Sequence, residues 1–276
     1  MKIIEEKEIA GLIKELYKRA SIKLPVRIKN KLLKTSRKEK NKLAKIVYKE
    51  LIENYKISER EKIPLCQDTG YPEFFITIGR NIQIKGDINK AVTEGTKQAT
   101  IEGYLRASVI RNVFNRRTNT KYNIPPNIHY FFDNSDKLKI ICFPKGGGCD
   151  NISKLLMLNP SVSKDEIIEE IYKAIINDIP QACPPIFIGI CIGGTSTTAM
   201  LYAKLALLKG DNLKEVEAIK RKLKEKINKS GIGAMAYGGK NTVLEINIVL
   251  KPVHIASLPV GISVSCNSFR YSKGVI

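Results

Sequence analysis

The chain has 276 residues, 43% of them hydrophobic and 27% charged, which is enough apolar material to bury a core and excludes an intrinsically disordered chain. No apolar run is long enough to span a bilayer, and Met1 to Glu8 carry acids where a secretory signal would carry a basic flank and an apolar core, so a cytoplasmic protein is expected. The formal net charge is +20, and residues 18–50 hold 13 Lys and Arg against Glu39 and Glu50.

Residues 3–20 read as a helix with Ile9, Leu12, Ile13 and Leu16 at helical spacing. A second helix is expected over 26–34. A third runs over 37–55, with Ser36 as N-cap, Glu39 in the capping-box position, and Leu43, Ile46, Val47, Leu51 and Ile52 on one face. Strands follow at 74–79 and 82–84, then a helix at 86–105 and a polar loop at 115–127. Residues 128–132 and 138–143 read as two strands that pair with each other around Asp133–Asp136. A turn with three glycines, Gly146 to Gly148, comes next, and a helix beginning within 152–157 would turn its N-terminus toward an anion there. Ser163 and Glu166 form a capping pattern for a helix over 164–178. Residues 186–191 read as a buried strand, Gly193-Gly194 as a turn, and 196–209 and 211–229 as helices. The strand–Gly-Gly–helix unit is a second place where a helix N-terminus could meet an anionic ligand. Strands at 243–249 and 262–266 close the chain. The pattern implies an α+β fold: an N-terminal helical layer, residues 1–58, packed on a mixed-sheet α/β body, residues 59–276, as one domain.

Chemistry concentrates in one loop. Cys66-Gln67-Asp68-Thr69-Gly70, bounded by Pro64 and Pro72, places a thiol, an amide, a carboxylate and a hydroxyl side by side. It is either a surface turn with an incidental cysteine or part of a site. A reducing compartment argues against structural disulfides, so the six cysteines belong to core, metal or catalysis. Cys142 and Cys191 lie inside apolar strands and read as core thiols; Cys149, in the glycine turn, is open. Cys66, Cys183 and Cys266 sit in loops or at a strand end, but their spacing matches no zinc or CxxC pattern and identifies no metal by itself. The basic stretch is either a phosphate-neutralising surface or a solvated helical face. With only Tyr17 and Tyr48 interleaved and no Trp, a stacking platform for nucleic acid is poorly supported, and the solvated face is the expectation.

Four motifs together decide between these readings. The Cys66–Gly70 loop, the Lys145–Gly148 turn, Cys183-Pro184-Pro185 with Gly193-Gly194-Thr195, and Leu258-Pro259-Val260 leading to Cys266 resemble, in order, the alpha half of the class I, iron–sulfur-dependent fumarate hydratases, shared with L-tartrate dehydratase alpha subunits. The resemblance runs from the N-terminal helices nearly to the C-terminus. It implies a [4Fe–4S] cluster held by Cys66, Cys183 and Cys266, with one iron open to act as a Lewis acid in a hydro-lyase reaction. It implies that Asp68 takes part in proton transfer or orients the group that does, and that His254 stands near the substrate. Arg106 would bind one end of a dicarboxylate, and Gln67, Gly147 and Gly148 would contact substrate. His129 has no motif and reads as structural.

The sequence departs from the family at Cys149, where serine is usual, and at Met235-Ala236-Tyr237. In one-chain members a second catalytic domain follows, so a separate beta subunit is expected as partner, in an α2β2 heterotetramer. The expected reaction is reversible hydration of fumarate to (S)-malate, with L-tartrate dehydration as the alternative in the family. No nucleic-acid partner is expected. A basic nucleic-acid-binding protein is the rival from another class, and a zinc site on the same cysteines a weaker one. A positive field would attract a dicarboxylate as well as a phosphate backbone.

Overall fold

The computed structural model describes residues 2–276, apart from the side chains of Arg116 and Arg117. The first half of the chain runs β1 (Lys2–Glu5), α1 (Glu6–Ile22), α2 (Val26–Lys38), α3 (Lys42–Glu61), β2 (Tyr71–Gly79), β3 (Ile82–Lys85), α4 (Ile88–Glu102), β4 (Ile110–Asn112) and β5 (Asn115–Asn119). Then come β6 (Asn127–Asp133), β7 (Leu138–Lys145), the one-turn α5 (Gly147–Asn151), β8 (Lys154–Leu158) and α6 (Lys164–Ile175). The chain closes with β9 (Ile186–Gly194), α7 (Ser196–Leu208), α8 (Lys214–Lys229), β10 (Val243–Val253), β11 (Leu258–Ser265) and β12 (Ser272–Val275). This is the α+β fold that the patterning implies.

The backbone divides into two compact units: Met1–Ile28 with Glu53–Gly147 and Arg270–Ile276, and Lys29–Ile52 with Gly148–Phe269. The first contains a four-stranded sheet in the order β12-β7-β2-β6. β2 is its centre, parallel to β6 and antiparallel to β7. The strands at 127–133 and 138–145 therefore do not form the hairpin that their nearness in sequence suggests. β2 separates them because Pro72 to Ile76 form a continuous buried run, the pattern of a strand covered on both faces. α1 lies against this sheet through Ile9, Ile13, Leu16, Tyr17 and Ala20, which join Phe74, Ile76, Ile140 and Cys142 in one core. The start of α1 is fixed by a reciprocal cap in which Glu5 N–H donates to Glu8 Oε2 at 2.9 Å. Residues 2–5 are not helical; they pair in parallel with β3.

The second unit is built on the sheet β10-β9-β11-β8. Along β9, Ile186, Ile188 and Ile190 meet Ile168, Ile171 and Ile175 of α6 and Val216, Leu223 and Ile227 of α8. On the other face, Gly189 lets α7 approach closely: a Cβ there would stand 2.1 Å from the Ala203 carbonyl oxygen. The cap of α6 is as expected, with Glu166 N–H donating to Ser163 Oγ at 3.2 Å and Ser163 N–H to Glu166 Oε2 at 2.7 Å.

Three local expectations change. Ser36 lies inside α2, and α3 is capped instead by Asn41, whose Oδ1 accepts from Ala44 N–H at 3.0 Å. Glu39 is buried nearby and accepts from the N–H groups of Lys40 and Asn41 and from Asn241 Nδ2. Along α3, Ala44, Tyr48, Tyr55 and Ser58 are buried, whereas Leu43 and Ile46 are exposed, so the buried face is not the expected one. Residues 154–158 form a strand, not the start of a helix, because they pair with β11 through Leu155↔Gly261 and Met157↔Pro259. No helix among the described residues is long and apolar enough to cross a membrane.

Candidate functional site

In the first unit, the loop of residues 66–70 is held from several sides. Its approach is pinned by Leu65 N–H donating to Ser21 O at 3.0 Å and by Asn54 Nδ2 donating to Leu65 O at 2.9 Å. The Asp68 carboxylate accepts from Gly70 N–H at 3.0 Å and from Gly147 N–H at 2.8 Å, while the Arg270 guanidinium donates to the Asp68 carbonyl. Two N–H donors, one on each oxygen, fix the orientation of the carboxylate. Gly70 has φ +83°, and a Cβ there would lie 2.7 Å from the Pro144 carbonyl carbon, so glycine is required to bring the loop against β7. Beneath it, the buried Tyr17 hydroxyl donates to Gly70 O at 3.2 Å and accepts from Asn123 Nδ2 at 3.3 Å. Burial holds the Tyr17 phenol protonated well beyond its ordinary range, which keeps it a donor.

Arg106 stands beside the same loop. Its carbonyl accepts from Thr69 Oγ1 at 3.2 Å and from Asn123 Nδ2 at 2.9 Å, and its side chain is exposed. Asn123 adopts a left-handed conformation, φ 56°, that asparagine tolerates well, and it also accepts Ser108 N–H at 2.8 Å. Gln67 is exposed, with its Oε1 3.3 Å from the Cys66 thiol. The structure thus groups Cys66, Gln67, Asp68, Arg106 and Gly147. The N–H of Gly147 is engaged by Asp68.

In the second unit, Cys183 and Cys266 come together although 83 residues separate them. Cys183 lies in a left-handed conformation, φ 50°, after a short 3₁₀ turn, Ile179–Ala182, and is exposed. Cys266 follows the last residue of β11 and is half-buried. Between them stands Asn267, whose N–H and Nδ2 both donate to the Cys183 carbonyl, at 3.3 and 2.8 Å. Gly148 backs onto the same turn, where an added Cβ would stand 3.1 Å from Gln181 O. Cys149 is buried in the core, with its thiol 3.8 Å from Ala182 O, so it packs inward.

His254 is not with this pair. It is exposed, in the turn after β10, and its Nδ1 accepts Ala256 N–H at 3.2 Å. Val253 pairs with Gly194 at one end of β9, whereas Ser265, next to Cys266, pairs with Phe187 at the other. Seven residues of strand put about 23 Å between the two ends. Gly193 and Gly194, read from the sequence as a turn, are the last residues of β9; they and the N-terminus of α7 share the His254 end, and α7 is already capped by Thr195, so the expected anion seat there is also remote from the cysteines. His129 is structural: its Nε2 lies 2.7 Å from Glu73 Oε1, and its ring stacks on Phe75.

Cys142 and Cys191 are fully buried. Burial raises the Cys142 thiol well above its usual range and pushes Cys191 up to about 11, so neither is a thiolate near neutral pH. No cysteine among the described residues is in a disulfide, and no three His, Cys, Asp or Glu among them stand together as a set of metal ligands. Several cations of the basic stretch have carboxylate partners, Lys18 with Glu102 at 3.1 Å and Lys31 with Glu245 at 2.8 Å among them.

Sequence reasoning missed Asn123, Asn267 and Arg270, which position the loops rather than carry the chemistry. The signal for the last two was their place immediately after Cys266.

A half-buried carboxylate oriented by two N–H groups, with an exposed arginine beside the same loop, is equipment for proton transfer to an anionic substrate. The family model described as Fumarate hydratase (Fumerase) matches residues 10–275, and the chain belongs to that family of hydro-lyases. Among its relatives is a Methanocaldococcus jannaschii chain named "Putative L(+)-tartrate dehydratase subunit alpha", 42% identical over 270 residues that cover 94% of each chain. Another is the Escherichia coli K12 "L(+)-tartrate dehydratase subunit alpha", 25% identical over 257 residues, covering 91% of this chain and 84% of the relative.

Proposed function

We propose that this chain is the cluster-binding alpha subunit of a two-subunit hydro-lyase that interconverts fumarate and (S)-malate. The observation that carries the reading is the family match across residues 10–275, which contains every motif on which the site is built. Cys66, Cys183 and Cys266 would hold a [4Fe–4S] cluster. Their chemistry suits it: three thiols that are not fully buried, none in a disulfide, two of them on backbone segments joined by Asn267. When bound, the cluster supplies an iron with no protein ligand, a Lewis acid for the substrate hydroxyl and carboxylate.

The chain's own groups divide the remaining work. The Arg106 guanidinium takes one substrate carboxylate, and the Gln67 amide offers a further donor. Hydration adds hydroxyl to one alkene carbon and a proton to the other. The Asp68 carboxylate, fixed by Gly70 and Gly147, keeps one lone pair on each oxygen and can hold or relay that proton without moving. Gly147 and Gly148 offer backbone to substrate. His254 has no part in this set within its own unit, for the distance along β9 given above. The partner is a beta subunit, in an α2β2 assembly, and the reducing cytoplasm is the expected compartment.

L(+)-tartrate is the second substrate reading, favoured by the names of both relatives. It differs from malate by one hydroxyl. The deciding experiment is anaerobic co-production with the partner, iron and sulfide analysis, and kcat/KM on malate and on L(+)-tartrate. Fewer than about three irons per chain would count against the cluster. Substantial turnover by the cluster-loaded chain alone would count against a two-subunit site. Retention on labelled DNA that is tight and salt-sensitive, without hydro-lyase activity, would favour the nucleic-acid alternative.

A further inference from the structure

We infer that Asn267 is a positioning residue that locks Cys183 and Cys266 into one piece of backbone, with Met235 as its second brace. As positioning for cluster ligands the inference rests on the proposed function; as a constraint on Cys183 it stands on geometry alone. Asn267 is buried, and it gives two donors to one acceptor: its own N–H and its Nδ2 both reach the Cys183 carbonyl, at 3.3 and 2.8 Å. The second hydrogen of the amide points to Met235 Sδ at 3.4 Å. Met235 in turn donates its N–H to the carbonyl of Pro184, at 2.6 Å. Two successive carbonyls, those of Cys183 and Pro184, are thus held from two remote segments.

The lock has a reason. Cys183 sits at φ 50°, a conformation that is strained for a non-glycine residue and relaxes unless its surroundings fix it. Cys183 is also exposed, so core packing does not supply that constraint. The hydrogen bonds from Asn267 and Met235 do. Only an uncharged side chain with an N–H donor near this length can serve; aspartate would set a carboxylate against the Cys183 carbonyl. The Met235-Ala236-Tyr237 stretch, which departs from the usual family pattern, has a use here. Met235 and Ala236 are both in left-handed conformations, and the bend they make brings Met235 N–H to Pro184.

The test compares wild type with Asn267→Asp and Asn267→Leu, first as the cluster-free chain and then reconstituted. In the cluster-free chain, mass spectrometry follows iodoacetamide labelling of Cys183, with Cys66 in the first unit as internal control. Labelling of Cys183 should change at least threefold in both variants, while Cys66 keeps its wild-type rate. In the reconstituted chain, loss of iron to a chelator should speed up roughly 10- to 100-fold, the range typical of residues that orient metal ligands. Unchanged Cys183 labelling in folded variants overturns the inference whether or not a cluster forms. If wild type takes up no cluster while Cys183 labelling shifts as expected, the cofactor reading fails and the positioning stands. Should both variants fail to fold, hydrogen exchange of wild type decides: slow exchange of the Asn267 and Met235 N–H groups supports the lock, and exchange at open-loop rates overturns it.

Discussion

The cysteines within the strands and those beside them behave as two different kinds of residue. Cys142 on β7 and Cys191 on β9 are fully buried, paired across the sheet with Phe74 and Gly261, and their thiols are pushed away from ionisation. Cys66, Cys183 and Cys266 lie just outside regular elements and are half-buried or exposed, with Cys266 at the border of the apolar core. The contrast teaches that chemical availability of a thiol here follows from where the ladder stops. A strand interior supplies burial and removes reactivity; a strand end or turn supplies exposure, and needs its own fixings to stay in place.

The largest test of that contrast is replacement of each thiol. Cys66→Ser, Cys183→Ser or Cys266→Ser should each abolish the visible absorbance of the reconstituted chain. Cys142→Ala should keep the absorbance and lower stability instead, by about 1–3 kcal/mol on denaturant titration, as a core truncation does. Retained absorbance in any of the first three breaks the assignment. Next in size is Asp68→Asn. It turns an N–H donor toward Gly70 or Gly147, and kcat of the assembled enzyme should fall about 10²- to 10⁴-fold, the range of a lost acid–base group; a change in KM alone would remove Asp68 from the chemistry.

A smaller effect comes from pH. Cys191 in the fold holds its proton up to about 11, against an ordinary thiol value near 9.0. Its folded pKa is raised, so its contribution is fully present below pH 9 and is lost between pH 9 and 11, as the unfolded chain releases the proton first. Wild type should therefore lose more stability across that window than Cys191→Ala, by on the order of 2 kcal/mol; equal losses in urea titrations at pH 8 and pH 10.5 would contradict it. The smallest effect is Tyr17→Phe, which removes the donor to Gly70 O and should cost about 0.5–1.5 kcal/mol with the fold intact.

Much of this was legible locally. The cap of α6, the alternation that marks β11 and the core thiols inside strands are short-range features, set by residues a few positions apart. The loop at Cys66 was legible as chemistry because proline and glycine bound a run of polar groups. Errors arose where long-range pairing overrode local order. Adjacent strands at 127–133 and 138–145 read as a hairpin, but β2 pairs with both and stands between them. Leu43 and Ile46 read as part of a buried stripe, but the face of α3 that packs is the one carrying Ala44 and Tyr48.

By itself the sequence determined the α+β class and, through the order of its motifs, the family to which the chain belongs, because periodicity and ordered motifs are properties of neighbours along the chain. Tertiary structure alone decided that Asn267 ties Cys183 to Cys266, that Gly147 serves Asp68, and that His254 stands at the far end of β9. Those facts depend on strand order and register, which join residues up to 84 positions apart and leave no trace in local spacing.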